Sequence, residues 1–364
     1  MFINSLVEDV DQTPPLLVLA TVRSDILAER DRRAAWIEDI EHADPTERID
    51  LNSLAPDDHR ALIDRLLALE DDLSAQLANR TEGNPLFAVQ LLADWLDRDL
   101  VEIGEEGFRL ADRTEAGVPT DIHELWMGRL ERLAQDLDGD SDETLAALEL
   151  TAALGREIEA DEWRALLNEA ELAPPVGLVG ELIERGLADR TDEGWAFGHG
   201  LLVDSLQRRA ENSERWADHH DRCARMLEAH PNRLPQETAA RRADHWIEAG
   251  ELERALEPLL EEDHRLEKIG DHQRRSPVLQ KHRNLLDTLG IGLEDPRSLE
   301  NDLQRLGRAF WAGEEAEVIQ QRAQKIFERA RRASTTEHMC RALLVAGSSF
   351  KRQREFSVAK DKFR

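Results

Sequence analysis

HWIEAGELERALEPLL, residues 245–260, decides how this chain is read. Trp246 precedes Gly250 by four residues and Ala255 follows it by five, so one helix stops at a glycine and a second starts almost at once. A helix pair joined this tightly cannot bury its apolar face alone; stacking another pair beside it does so. The same spacing returns in SSFKRQREFSVAKDKF (348–363), with Phe350 and Ala359 in place of Trp246 and Ala255 and a turn expected between them. AFWAGEEAEVIQQ (309–321) is a weaker copy around Gly313. From Leu201 onward everything reads as helix, broken at 230–235, at Gly250, near Gly270, at 290–296 and at Gly313.

Toward the N-terminus the pattern stays helical but its punctuation changes. In TEGNPLFAVQLLADWL (81–96), Gly83 suits the positive φ that stops a helix, and Asn84 and Pro85 suit the N-cap and N1 of the next. Phe87, Leu91 and Trp95, with Leu92 and Leu96 beside them, give that helix one apolar face. Two helices are expected before it, over 56–69 with Leu62, Leu66 and Leu69 as the stripe, and over 73–79. Residues 100–110 read as a short hairpin turning at Gly-Glu-Glu-Gly, and 118–133 as a helix from Pro119 or just after. Helices at about 142–153, 160–169 and 175–185 precede two strand-like pieces, 187–190 and 195–197: three helices and a hairpin, the layout of a winged helix.

PPLLVLATV (14–22) is a continuous apolar run that reads as a strand buried on both faces of a parallel sheet. One such strand cannot stand alone, so it is expected to be the remnant of a sheet whose other strands precede Met1.

Composition narrows the function classes. The net charge of −29 argues against a general nucleic-acid surface, because phosphate neutralisation dominates such affinity. No run approaches a membrane span and the N-terminus lacks a signal peptide's basic start, so a cytoplasmic protein is expected. Cys223 and Cys340 give no disulfide framework. All six lysines lie at or beyond residue 268, and no Gly-Lys pair exists, so the chain has no GxxxxGK[ST] phosphate cradle. The Arg-for-Lys bias fits either a salt-rich cytoplasm or a GC-rich genome.

These landmarks, in this order, resemble the C-terminal part of a STAND-type signalling ATPase, the AAA+-related class of maltose-regulator-like transcription activators and of kinase- or cyclase-fused ATPases. In that family a buried strand ends in a sensor arginine, matched by Arg23 in LATVRSD. A Gly-Asn-Pro turn opens a helical lid and its proline touches adenine, matched by Gly83, Asn84 and Pro85. A winged helix ends in Phe-x-His whose histidine reaches the bound diphosphate, matched by Phe197-Gly198-His199. Tetratricopeptide-like repeats complete the chain. The resemblance thus implies a mainly α chain: a remnant of the α/β nucleotide-binding domain (1–50), a helical lid (51–135), a winged helix (136–210) and an α-solenoid of repeats (211–364). It departs from the family in lacking the P-loop and the acidic Walker B strand, which makes the expected molecule a fragment truncated at both ends.

The resemblance implies ATP or ADP as cofactor, held weakly or not at all without the P-loop, and no catalysis by this chain alone. The same residues have plainer readings. Arg23 could cap a strand end or pair with Asp25, Pro85 could simply start a helix, and His199 could be a cap or core contact. His219 and Cys223, at i and i+4 in HHDRC, could hold a metal but lack a second ligand pair, so a polar helix surface is expected there. A partner is expected to be a protein or peptide received by the repeats through Arg241, Arg242, His245, Glu248 and Arg275, with no direct nucleic-acid binding: the winged helix carries Arg185 against Glu181 and Glu184. The alternative is a self-contained tetratricopeptide-type protein-binding scaffold with a decorative N-terminal strand.

Overall fold

A computed structural model describes residues 47–111, 121–229 and 238–362, with Leu19, Thr21 and Pro119 besides, and only the backbone of 350–362. The chain is mainly α, with fifteen helices and five short strands among the described residues, in two compact units, 1–114 and 115–364. The expected strand over 16–22 lies outside the described residues except for Leu19 and Thr21, which are exposed and in no regular element.

In the first unit, α1 (Pro56–Leu66), α2 (Asp71–Thr81) and α3 (Pro85–Asp97) pack around Ile63, Leu77, Phe87, Leu91 and Trp95. The hairpin is β1 (Val101–Ile103) against β2 (Phe108–Leu110), with Glu102 opposite Arg109. Residues 68–70 extend it, for Phe108 donates to the Ala68 carbonyl at 2.8 Å and accepts from Glu70 at 2.9 Å. The stripe expected on α1 is corrected: His59 and Ile63 are buried, whereas Leu66 is exposed and Leu62 and Leu69 are half-buried. The burial of the His59 imidazole is offset by its hydrogen bonds to Gly83 and Thr81. Leu96 likewise turns to solvent.

The second unit begins with α4 (Ile122–Asp136), which packs on α5 (Ser141–Leu154) and α8 (Gly200–Asn212). Between them come β3 (Glu157–Glu159), α6 (Ala160–Glu169), α7 (Leu178–Glu184), β4 (Ala188–Arg190) and β5 (Gly194–Phe197). The strands form one antiparallel sheet in the order β3-β5-β4, pairing Ile158 with Trp195 and Ala188 with Phe197. β3 had no sequence signal beyond Ile158. Gly194 is obligatory at its turn, because a Cβ there would meet the Ile158 carbonyl oxygen at 2.0 Å.

Seven helices then form a repeat solenoid: α9 (Trp216–Ala229), α10 (Thr238–Glu248), α11 (Leu256–Lys268), α12 (His272–Thr288), α13 (Pro296–Trp311), α14 (Ala316–Arg332) and α15 (Thr336–Lys362). Each packs on the next. Trp246 and Ala255 are buried with Leu259 and Leu286, and the Arg254 guanidinium lies 3.4 Å from the Trp246 ring centroid, closing the α10–α11 turn. The copy at 348–363 is corrected: α15 runs without a break through Lys362, since Lys-Arg-Gln-Arg-Glu contains only helix formers and no glycine.

Several charged groups inside the solenoid are bonded to one another. Arg275 is fully buried with both Asp263 oxygens on its Nε and Nη2 (2.8 and 3.0 Å), Glu267 on Nη1 (3.0 Å) and Gln304 on Nη2 (3.2 Å). Arg275→Met strands the Asp263 carboxylate and is expected to cost about 3–5 kcal/mol, read by chemical denaturation; a loss under ~1 kcal/mol would show Asp263 rehydrated. Acid has a separate effect. Burial pushes His282 down to about 4 and also lowers His220 and His245, whose Nδ1 atoms face each other at 2.8 Å. A depressed histidine stabilises the fold fully above its ordinary value of 6.5, and the contribution is lost as pH falls toward its folded value. Each such group is expected to remove about 1.4 kcal/mol per pH unit below pH 6.5, which thermal melts from pH 7 to pH 4.5 measure.

Candidate functional site

The residues expected at nucleotide fall on two turns, one in each unit. At the first, α2 closes at Thr81, Glu82 (φ 45°) and Gly83 (φ 77°) are left-handed, and Asn84 returns to extended backbone. Asn84 Oδ1 accepts from the Phe87 N–H at 3.1 Å, and Pro85 fills N1, where no N–H is required. Gly83 serves a second purpose, because the chain crosses it at close range: Leu54 N–H donates to the Gly83 carbonyl at 2.9 Å, and a Cβ on Gly83 would lie 2.6 Å from the Leu54 oxygen.

Beneath the turn sits His59. The Gly83 N–H donates to its Nδ1 (3.2 Å), which leaves the ring proton on Nε2, donated to Thr81 Oγ1 (3.1 Å). Thr81 Oγ1 donates onward to the Leu77 carbonyl at 2.7 Å. Every donor has one acceptor in this relay, so the imidazole is neutral, and burial holds its pKa below the ordinary value. Sequence reading missed His59 and Thr81; their only signal is a histidine four residues before Ile63 on one helix face. The result is a rigid turn with Asn84 and the Pro85 ring exposed at the head of α3.

His199 is the N-cap residue of α8, but its side chain caps nothing. Its ring instead lies on Trp126, with centroids 5.4 Å apart and planes tilted by 39°. Trp126 is fully buried, and the Arg129 guanidinium stands 5.3 Å from its ring while donating to the Arg185 carbonyl at 3.0 Å. Arg156 holds the preceding backbone, donating from Nε to Phe197 O (3.1 Å) and from Nη2 to Gly198 O (3.3 Å). The imidazole is half-exposed. Arg23 lies outside the described residues.

Other chemistry is limited by bonding already in place. His123 Nδ1 is 2.8 Å from Ser205 Oγ, but the hydroxyl donates to the Leu201 carbonyl at 2.6 Å, so the imidazole N–H donates the hydrogen bond to serine rather than accepting one from it. That polarity is opposite to an activated nucleophile. The polar surface expected at HHDRC is corrected: His219, His220 and Cys223 are buried, His219 Nε2 meets Glu149 at 3.1 Å, and burial pushes the Cys223 thiol up. Among the described residues no group of three or more His, Cys, Asp or Glu could hold a metal. The partner-facing set is corrected too. Arg241 grips both oxygens of Glu162 (2.6 and 2.9 Å), Arg242 bonds Glu261 at 2.6 Å, and His245 and Arg275 are internal. Of the five, Glu248 alone is exposed.

Gly83→Ala is expected to destabilise the first unit by at least about 1–2 kcal/mol, from the left-handed backbone with the Leu54 clash in addition. His59→Gln keeps a possible donor and acceptor but removes the titration, so it should flatten the acid sensitivity of the first unit below pH 6.5, where neutral His59 otherwise loses its contribution as pH falls. Hydrogen exchange of 71–97 against pH measures both; an unchanged pH slope in His59→Gln would contradict the relay.

No family model and no curated protein matches the sequence. Among solved structures, the chain is similar to a crystal structure of a Signal Transduction ATPase with Numerous Domains (STAND) protein with a tetratricopeptide repeat sensor from Pyrococcus horikoshii, at 14% identity and a TM-score of 0.31. The similarity covers 84% of this chain and 52% of that one, so the chain spans about half the length of that protein.

Proposed function

We propose that the chain is the lid, winged-helix and repeat portion of a STAND-type regulatory ATPase, acting in signal transduction or transcription control. One observation carries the reading: a turn locked by the His59 relay and by Leu54 presents a rigid, exposed proline ring at a helix head. A flat apolar face of this kind suits the adenine ring of ATP or ADP, and it loses no conformational freedom on contact. In this reading α5, α6, α7 and the sheet β3-β5-β4 are the winged helix, and His199, stacked on Trp126, is its phosphate-facing group. Arg23 would approach the γ-phosphate.

The phosphate cradle then lies outside these 364 residues, since they contain no Gly-Lys pair. Residues 47–111 carry fifteen acidic and six basic side chains, which by itself repels a triphosphate. The chain alone is therefore no ATPase, and the solenoid is its protein-facing part. With Arg241, Arg242 and Arg275 engaged internally, a peptide or protein partner meets exposed apolar groups such as Trp311 and Leu344.

An ATP-hydrolysis assay and a calorimetric titration with ADP test the proposal. The expected result is no hydrolysis above background and binding weaker than micromolar, further weakened by Pro85→Ala. Micromolar or tighter binding unaffected by Pro85→Ala and His199→Ala would place nucleotide elsewhere and overturn the assignment.

A further inference from the structure

The Glu149 side chain is fully buried in the middle of α5, and three side chains converge on it. Arg209 Nη1, from the last turn of α8, bonds Oε1. Arg215, just before α9, donates from Nη2 to Oε1 (2.8 Å) and from Nε to Oε2 (3.0 Å). His219, in the first turn of α9, reaches Oε2 at 3.1 Å. Asp142 stands 3.8 Å from Arg209 on the exposed side. The carboxylate thus ties the first solenoid helix to the end of α8, and His199 is the N-cap residue of α8.

We propose that Glu149 positions His199 from a distance, with α8 as a rod: a displacement of α9 is delivered through the Glu149 carboxylate to Arg209 and along α8 to the His199 turn. Gly200 to Arg209 is about 14 Å of helix, which is stiff over that length. Both ends are held. Arg209 is pinned at one, and at the other Trp126 and Arg156 fix the imidazole and the backbone before it. A second ion pair joins the same regions without using α8: Glu162 of α6 bonded by Arg241 of α10. Loss of that pair loosens the two regions but leaves the rod attached. The inference concerns regulation of the phosphate-facing group and its significance rests on that reading of His199, although the coupling itself does not require nucleotide.

The test is an imidazole 1H–15N spectrum of the full chain labelled with 15N-histidine, with the His199 signal assigned by its loss in His199→Asn. Glu149→Gln is expected to move the His199 signal, and Glu162→Gln to leave it in place while lowering thermal stability comparably. Arg215→Gln, at a half-buried residue that does not touch His199, is the milder variant should Glu149→Gln fail to fold, and it is expected to move the signal in the same direction. A His199 signal unmoved by Arg215→Gln, or moved equally by Glu162→Gln, overturns the proposal. Adding ADP to the wild type separates the two readings: a His199 signal that responds to Arg215→Gln but not to ADP leaves the coupling standing and removes the phosphate role.

Discussion

A fully buried carboxylate, Glu149, is the constraint on which the second unit is built. α5 is buried almost all round, from Thr144 to Leu154, and packs on α4, α8 and α9 at once. Such a helix normally carries no charge. Burial alone would raise the Glu149 pKa, but hydrogen bonds from His219, Arg215 and Arg209 hold it down to about 2. The ion is therefore present at any ordinary pH, and its stabilisation, complete above the unfolded value near 4.5, is lost only as pH falls toward 2. Any arrangement that separated α9 from α5 would remove His219 and Arg215 from the buried Glu149 carboxylate and leave it Arg209 alone, so the regions on either side of Glu149 are specified together.

The device recurs along the chain. Glu162 is gripped bidentately by Arg241, Asp263 by Arg275 and Glu300 by Arg341, while Asp302 stands between Arg283 and Arg329. A planar guanidinium meets two carboxylate oxygens in one geometry, which an ammonium cannot do. The arginine bias of the sequence thus has a structural use, whatever its origin. Arginines engaged inward leave much of the −29 net charge on the surface.

Where glycine marks the left-handed residue after a helix, the sequence announces the turn, as at Gly250, Gly270, Gly290 and Gly313. Two turns went unannounced, before α9 and before α15, because Glu214 and Ser334 adopt φ 57° in glycine's place. The α3 helix was legible from Asn84-Pro85 and its apolar period; α1 was legible as a helix, but its buried face was not, because that face is led by a histidine. The site divides the same way. Motif residues could be named from their order, but His59, Arg156, Trp126 and Glu149 act by long-range contacts that no local spacing encodes. Buried arginines of α10 and α12 looked like a binding surface because periodicity cannot tell a solvated charge from one paired 79 residues away, as Arg241 is with Glu162.

The central claim is that the region around α5–β5 and the first solenoid helices form one cooperative block closed by Glu149 and Glu162. Native-state hydrogen exchange under increasing denaturant tests it most directly, since elements that open together share one free energy and one denaturant dependence. The account predicts that α5 (Ser141–Leu154), the C-terminal turns of α8 and α9 (Trp216–Ala229) merge into a single opening isotherm. An α9 that opens well below α5, with its own slope, would contradict it.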